Sequence, residues 1–299
     1  MIKNISKLAC LTVILLLASC IKEGFDKENC PGEFFITPSI PEGLTPEKEE
    51  TLKSGRITII DSEGNEQEVN VDNNNPIDLD DGSYTIVALK GPKDPNVNVS
   101  GTNVTIATKP DGSAQDMPEN MTGGHTVITV SSNASNQDNT NIEVPTHIQS
   151  RPLDIKVKFE GGNAAILEIL TGIVDGISLS RDLNNGFAPT DGVDRHPALE
   201  SGSMNYTFGK VDGDDILYTD SHRLLGIDGD GNQTLTLTVT YAGGVQKTYT
   251  FDITTDMDGF HTEDVNKPWV IEITLRLGAD FEATIEDWQA GPETWMDAH

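Results

Sequence analysis

The chain has 299 residues, with 48 acidic against 20 basic side chains and a formal net charge of −28 at pH 7. That excess of carboxylate excludes nucleic acid as a natural partner, since phosphate contacts need Lys and Arg, and it argues against docking flat on an anionic membrane surface. A G-x-S-x-G elbow, an H-E-x-x-H helix, a P-loop and paired C-x-x-C motifs are all absent, and the six histidines are scattered with no ligand spacing, so no catalytic constellation and no cofactor are expected.

Lys3 and Lys7 open the chain, and residues 8–18 follow as an apolar run of about a dozen residues, the length of a signal-peptide core and too short to span a bilayer. The run closes on Leu17-Ala18-Ser19-Cys20, which looks like a lipobox. Small residues let a peptidase close on the backbone before Cys20, and only a thiol accepts the diacylglycerol thioether. With two or three acyl chains on Cys20 the chain is expected to be anchored to a membrane without spanning it. Loss of residues 1–19 leaves 280 residues with a formal charge of −30, enough length for two ordinary domains. Cys10 leaves with the signal and Cys20 is acylated, so Cys30 is left as a lone thiol and no internal disulfide is expected. Residues 20–32 read as the acylated cysteine and a charged tether that lifts the body off the membrane.

Beyond the tether the hydrophobic period is two nearly everywhere. Residues 45–53 are the exception, with Thr45 as N-cap and Pro46 opening a short surface helix. Arg56 opens a strand over residues 56–60. Residues 84–89 are apolar on both faces and belong in the centre of a sheet. The polar stretch 131–141 precedes a domain boundary near Gln149-Ser150-Arg151-Pro152, after which Leu153, Ile155, Val157 and Phe159 alternate with Asp154, Lys156 and Lys158. Residues 163–170 fit either one or two helical turns or a strand. Residues 181–203 are the longest stretch without strand pattern, the place for a binding loop, in which Phe187 is either an exposed anchor or packs back. Asp212, Asp214 and Asp215 form an acidic turn.

Asp228, Asp230 and Asn232 begin like a calcium loop, but an EF-hand would need Gly and Glu where Gln233 and Val239 stand, so a tight turn is the preferred reading and no metal is expected. Thr234–Tyr241 puts Leu235, Leu237, Val239 and Tyr241 on one face; the chain turns at residues 242–245 and returns with Tyr249, Phe251 and Ile253 inward. Trp269–Leu277 buries Trp269, Ile271, Ile273, Leu275 and Leu277. Residues 281–288 close the last sheet, with Phe281, Ala283 and Ile285 inward. Residues 289–299 lack a strand period and read as a cap with Trp295 packed down, or as a tail. The whole is expected to be all-β, two stacked antiparallel sandwiches.

Four pieces resemble the Bacteroidales fimbrillin-type proteins, closer to their lipid-anchored and accessory subunits than to the shaft pilins. They are the lipobox with a short leader carrying Asn29-Cys30-Pro31, the segment Asp81-Gly82-Ser83-Tyr84-Thr85-Ile86, the restart Arg151-Pro152-Leu153-Asp154-Ile155, and the closing strands ending in Asp287-Trp288. The resemblance implies transthyretin-like sandwiches over residues 33–150 and 151–299, lipid anchoring in the outer membrane, and a non-catalytic role as fimbrial anchor, cap or accessory adhesion subunit. It also implies other fimbrial subunits as partners, joined by β-strand addition. Shaft subunits of this family are cut after an Arg; Arg56 is the candidate here, though an anchor should keep its lipidated end, which makes Arg56 a strand-edge charge. A glycan-binding surface lipoprotein of a polysaccharide-uptake system, and a host or glycan ligand, form the alternative. It would need exposed Trp or Tyr in line for sugar stacking.

Overall fold

The structure is a computed structural model and describes residues 32–39, 41, 55–70, 76–91, 93–119, 121–131, 140–161, 167–187, 198–214, 216–262, 265–277 and 283–292. In chain order the strands are β1 (Gly32–Pro38), β2 (Gly55–Ile60), β3 (Glu66–Asn70), β4 (Ile77–Leu79), β5 (Gly82–Lys90), β6 (Val97–Ser100), β7 (Asn103–Ile106), β8 (Thr122–Val130), β9 (Thr140–Val144) and β10 (His147–Ile148). They continue with β11 (Arg151–Glu160), β12 (Leu167–Asp182), β13 (Glu200–Thr207), β14 (Gly209–Lys210), β15 (Leu217–Leu224), β16 (Thr234–Tyr241), β17 (Gln246–Asp252), β18 (Trp269–Leu277) and β19 (Ala283–Pro292). Two short 3-10 turns, Leu183–Asn185 and Thr255–Met257, are the helical segments among the described residues.

These strands make two sandwiches. In the first, the sheet β4-β1-β9 lies on the sheet β10-β8-β5-β2-β3, and both contribute to a core of Phe34, Ile57, Ile59, Leu79, Ile86, Ala88, Val130, Ile142 and Val144. In the second, β14-β15-β11-β18-β19 faces β17-β16-β12-β7-β6, with β13 also paired to β12. The alternation read from sequence is what makes these faces. Leu153, Ile155, Val157 and Phe159 of β11 are buried, while Lys156 on the other face meets Glu272 of β18 at 3.0 Å. Central β5 loses the alternation for a physical reason. Ile86 and Ala88 enter the first core and Val87 enters the second, so over these three residues neither side of the strand meets water.

Several expectations are corrected. The sheets are not wholly antiparallel, since β1–β9 and β11–β18 run parallel; Leu153 pairs with Trp269, and a partner so distant in the chain is not constrained by a hairpin. The division at residue 150 does not describe the packing of β6 and β7. They join the second sandwich through β12, with Val104, Ile106, Ala114 and Met117 in its core. Residues 181–203 are not one patternless loop, because β12 runs to Asp182 and β13 starts at Glu200. Phe187 is buried and so is no exposed anchor. Residues 289–292 are part of β19, held because β18 continues back to Trp269 and supplies their ladder.

Gly176 marks the place where β12 changes register. Its φ is +80°, and a Cβ there would stand 2.4 Å from the Asn232 carbonyl oxygen. The bulge keeps Ile177, Leu179 and Arg181 turned inward beyond it.

Residues 45–53 and 163–166, the tether with Cys30, Asp215, Phe281 and Trp295 lie outside the described residues. Leu167–Leu170 belong to β12, which answers the helix-or-strand question for that part as strand.

Candidate functional site

The N-terminal strand is seated in the middle of its sheet. β1 takes β4 antiparallel on one side, Phe34 opposite Ile77, and β9 parallel on the other, Phe34 opposite Thr140 and Pro38 opposite Val144. Beyond the strand, the Ser39 amide donates to the Val144 carbonyl at 2.9 Å, and the Thr146 hydroxyl donates to the Ser39 carbonyl at 2.5 Å. Buried Lys90 donates to the Pro38 carbonyl at 3.5 Å, and burial draws its pKa down. β1 begins twelve positions after Cys20. Ladder hydrogen bonds lie across the strand direction, so a pull on the chain from that end loads both of β1's ladders in shear together.

A second constellation forms where the sandwiches meet. Gln149, Ser150 and Arg151 look like a polar linker in sequence, yet all three are buried. The Gln149 amide nitrogen donates to the carbonyls of Gly123, Leu183 and His147 at 3.0, 2.9 and 3.1 Å. From β12, Arg181 donates through Nη2 to the Gln149 carbonyl at 3.0 Å and through Nη1 to the Asn185 carbonyl at 3.0 Å, with its guanidinium 4.8 Å from the Phe187 ring centre. These acceptors are neutral, so burial governs the charge and draws the Arg181 pKa down to about 9. Arg151 donates from Nε to the Lys267 carbonyl at 2.9 Å and lies 5.0 Å from the Trp269 ring centre.

The other side of this junction joins β8 to the end of β12. His125 Nε2 stands 2.9 Å from Asp182 Oδ1, while Asn184 accepts the His125 N–H at 2.8 Å and donates to the His125 carbonyl at 3.1 Å. Burial pushes the Asp182 carboxyl up, but bonds from the Asn184 amide, Thr102 and His125 reverse this and hold it below the usual carboxylate range. Residue 124 is Gly, and a Cβ there would fall 3.2 Å from Asn184 Oδ1 and 2.0 Å from the carbonyl oxygen of Pro145, between β9 and β10. The sequence carried one unread signal of this junction. Arg151 and Arg181 each sit at the inward phase of their strands, in step with Leu153 and Leu179, and a cation in that phase must find buried oxygen.

The residues singled out in sequence are not brought together. Cys20 lies outside the described residues. Arg56 stands in β2 opposite Asn70 of β3 and Leu89 of β5, so its backbone has a strand on either side. It lines a cleft of about 310 Å³ with Glu68, Leu89, Lys93, Val97 and Met121. Asp228 closes its own turn: Oδ1 accepts from the Asp230 amide at 3.2 Å, Oδ2 from the Ser201 hydroxyl at 2.5 Å, and the Gln233 amide donates to the Asp228 and Gly231 carbonyls at 2.6 and 3.1 Å. No group of three or more His, Cys, Asp or Glu among the described residues is placed to hold a metal ion. Trp288 lies in β19 opposite Ile273.

His222 is tied to Asp116, which holds the segment before β8 against β15. Its Nδ1 is 2.8 Å from Asp116 Oδ1, its Nε2 is 3.3 Å from Asp220, and the same Asp116 oxygen accepts the Arg223 N–H at 3.1 Å. Burial pulls the His222 pKa down, but Asp116 and Asp220 outweigh it and leave it raised; burial pushes Asp116 up, and His222 and the Arg223 amide leave it lowered. A raised His pKa gives stability that is complete below the unfolded value of 6.5 and is lost as pH rises through the folded value. A lowered Asp pKa gives stability present above 3.8 and lost as pH falls through the folded value. The pair therefore acts most fully between these limits. Asp116→Asn is expected to lower the melting temperature most near pH 5 and progressively less toward pH 8. An equal loss at both pH values would show that the ion pair is not the cause.

No family model matches the sequence, and no curated relative does. Solved structures do match the fold. The fimbrial anchor protein Mfa2 from Porphyromonas gingivalis matches over 88% of this chain and 98% of that chain, with a TM-score of 0.57 and 12% identity. The chain shares the fold of Mfa2. A protein assigned as an adhesin from Bacteroides ovatus matches over 90% of this chain and 96% of that chain, at TM-score 0.55 and 11% identity. A second B. ovatus protein with the same assignment matches over 92% and 98%, at TM-score 0.53 and 11% identity. The likeness in fold thus covers 88–92% of this chain.

Proposed function

We propose that this chain is a lipid-anchored surface subunit of a fimbrium, an anchor or accessory adhesion subunit with a structural role and no catalysis. The observation that carries the reading is the likeness in fold to Mfa2, a fimbrial anchor, over 88% of this chain and 98% of that one. The seat of β1 supports it. Lipid on Cys20 places the membrane at one end of a short tether, and β1 carries any load from that tether into two strands at once. Cutting after Arg56 would leave the lipidated segment joined to the body only through the ladders of β1 with β4 and β9, so on this reading the mature protein keeps that bond intact. The neighbours it holds are other fimbrial subunits, joined by strand addition, on the outer face of the outer membrane. Four of the aromatic rings give no support to the glycan-uptake alternative, since Tyr206, Tyr218, Tyr241 and Trp269 are buried and cannot stack on a sugar.

Cys20→Ala tests the reading. Each buried methylene of an acyl chain holds a protein to the bilayer by about 0.8 kcal/mol, so losing two or three chains should move the protein from the detergent phase to the aqueous phase. Fimbriae on cells carrying the variant should appear in the medium. Membrane partitioning unchanged by Cys20→Ala would refute the lipid anchor; a soluble variant with fimbriae still on the cells would refute the anchoring role.

A further inference from the structure

We propose that β17 is the docking edge for a second copy of this chain, the two β17 strands pairing antiparallel about Tyr249. The inference is independent of the fimbrial reading and rests on what the sheet edges present.

An unpaired edge displays a row of amides and carbonyls, and proteins blunt such edges by shortness or charge. β4, β6, β10 and β14 have two to four residues each, and the other edge strands carry acid: Glu66 and Glu68 in β3, Glu143 in β9, and Glu286 and Asp287 in β19. β17 has neither defence along most of its length. It has seven residues, ends its sheet, exposes Gln246, Lys247, Thr248, Thr250 and Asp252, and carries charge only at Lys247 and Asp252.

The register follows from the hydrogen bonds that bracket the hairpin. The Tyr241 amide donates to the Val245 carbonyl at 2.9 Å and the Ile253 amide to the Gln233 carbonyl at 3.0 Å. Antiparallel bonding alternates along a strand. Lys247, Tyr249 and Phe251 therefore bond to β16, and the backbone groups of Gln246, Thr248, Thr250 and Asp252 point away from it. Two such edges related by a twofold axis through Tyr249 match outward group to outward group along the whole strand. Thr248 then faces Thr250 of the second copy, and Gln246 faces its Asp252. Lys247 faces the second copy's Phe251, so no like charges are opposed. The outer face already carries cross-strand threonine contacts, Thr236 to Thr250 and Thr238 to Thr248, each at 3.3 Å. The pairing extends that threonine ladder from one copy into the next.

Net charge opposes association, because each copy is strongly acidic. Screening shortens that repulsion to about 10 Å at 0.1 M salt, so the dimer should strengthen as salt is added. The test uses the mature chain with Cys20 and Cys30 replaced by Ser. Sedimentation should show a dimer whose share rises with salt and protein concentration. Thr248→Pro removes only an outward N–H, a position where an edge strand tolerates Pro, and should weaken the dimer by about tenfold or more.

Cross-linking then reports the register. Residues 249 of the two copies stand opposite at about 4.5 Å between Cα atoms, within disulfide reach. Tyr249→Cys should give a covalent dimer on mild oxidation. Thr248→Cys and Thr250→Cys should cross-link when mixed with each other and not alone. A monomer at every salt concentration with no Tyr249→Cys cross-link would overturn the proposal. So would equal cross-linking of all three variants alone, or a dimer indifferent to Thr248→Pro in a variant whose β-sheet circular dichroism is intact. Capture of an unrelated extended peptide by this edge, without self-association, would assign it to a different occupant.

Discussion

Deleting residues 32–39 is expected to unfold the first sandwich while the second stays folded, and a peptide of the same sequence supplied in trans is expected to restore it. β1 is the shared partner of β4 and β9, so its removal leaves both strands without a ladder in that sheet. It also takes Phe34 from a small core of nine buried apolar residues. Truncating one buried Phe costs about 3–5 kcal/mol, and a whole domain has only about 5–15 kcal/mol to lose. The sheet β14-β15-β11-β18-β19 and its facing sheet draw on a larger core, to which β5 and β10 lend Val87 and Ile148 but β1 lends nothing, so they should survive. Hydrogen exchange resolves the outcome by segment. Fast exchange confined to the first sandwich, slowed again by the peptide, is the expected result. Full protection without β1 would show that the strand is an accessory to its sheet and carries no load there.

Arg181→Ala is expected to be the most destabilising single substitution at the junction, costing about 3–5 kcal/mol, the range for truncating a large buried side chain and leaving buried oxygens without donors. The loss has two parts: a cavity against Phe187, and three buried oxygens, the carbonyls of Gln149 and Asn185 and the Gln149 side-chain oxygen, that lose the Arg181 donor. Arg181→Met separates them. It keeps most of the volume and removes the buried charge, whose desolvation is recorded in the lowered pKa, so it should be milder than alanine by about half. Urea titration of both variants measures the difference. Equal losses for Met and Ala would mean that volume is unimportant and the carbonyls decide. A loss below about 1 kcal/mol for either would mean that the junction is not a stabilising network.

The strands of the second sandwich were legible because alternation is a local property. Leu235, Leu237, Val239 and Tyr241, or Trp269, Ile271, Ile273 and Leu275, announce an inward face without reference to any partner, and all eight are buried. The turn at residues 242–245 was legible for the same reason, since Gly243 and Gly244 take the positive φ that turns favour. The polar junction was illegible in its parts. Gln149 and Arg181 are hydrophilic, and only oxygens placed around them by other strands make burial tolerable. The Gln149 carbonyl that receives Arg181 lies 32 residues away, and the Lys267 carbonyl that receives Arg151 lies 116 away.

Sequence alone thus set which residues alternate, where the chain turns and which side of each strand is apolar, because a side chain's polarity and a backbone's period of two need no tertiary partner. Tertiary structure decided which strands became neighbours. It placed β6 and β7 beside β12, ran β11 parallel to β18, buried Phe187 with Arg181, and gave β5 a core on either face. Every backbone edge offers the same donors and acceptors, so a strand's own residues do not name its partner. The choice falls to the arrangement that buries most apolar surface and leaves fewest polar groups unbonded.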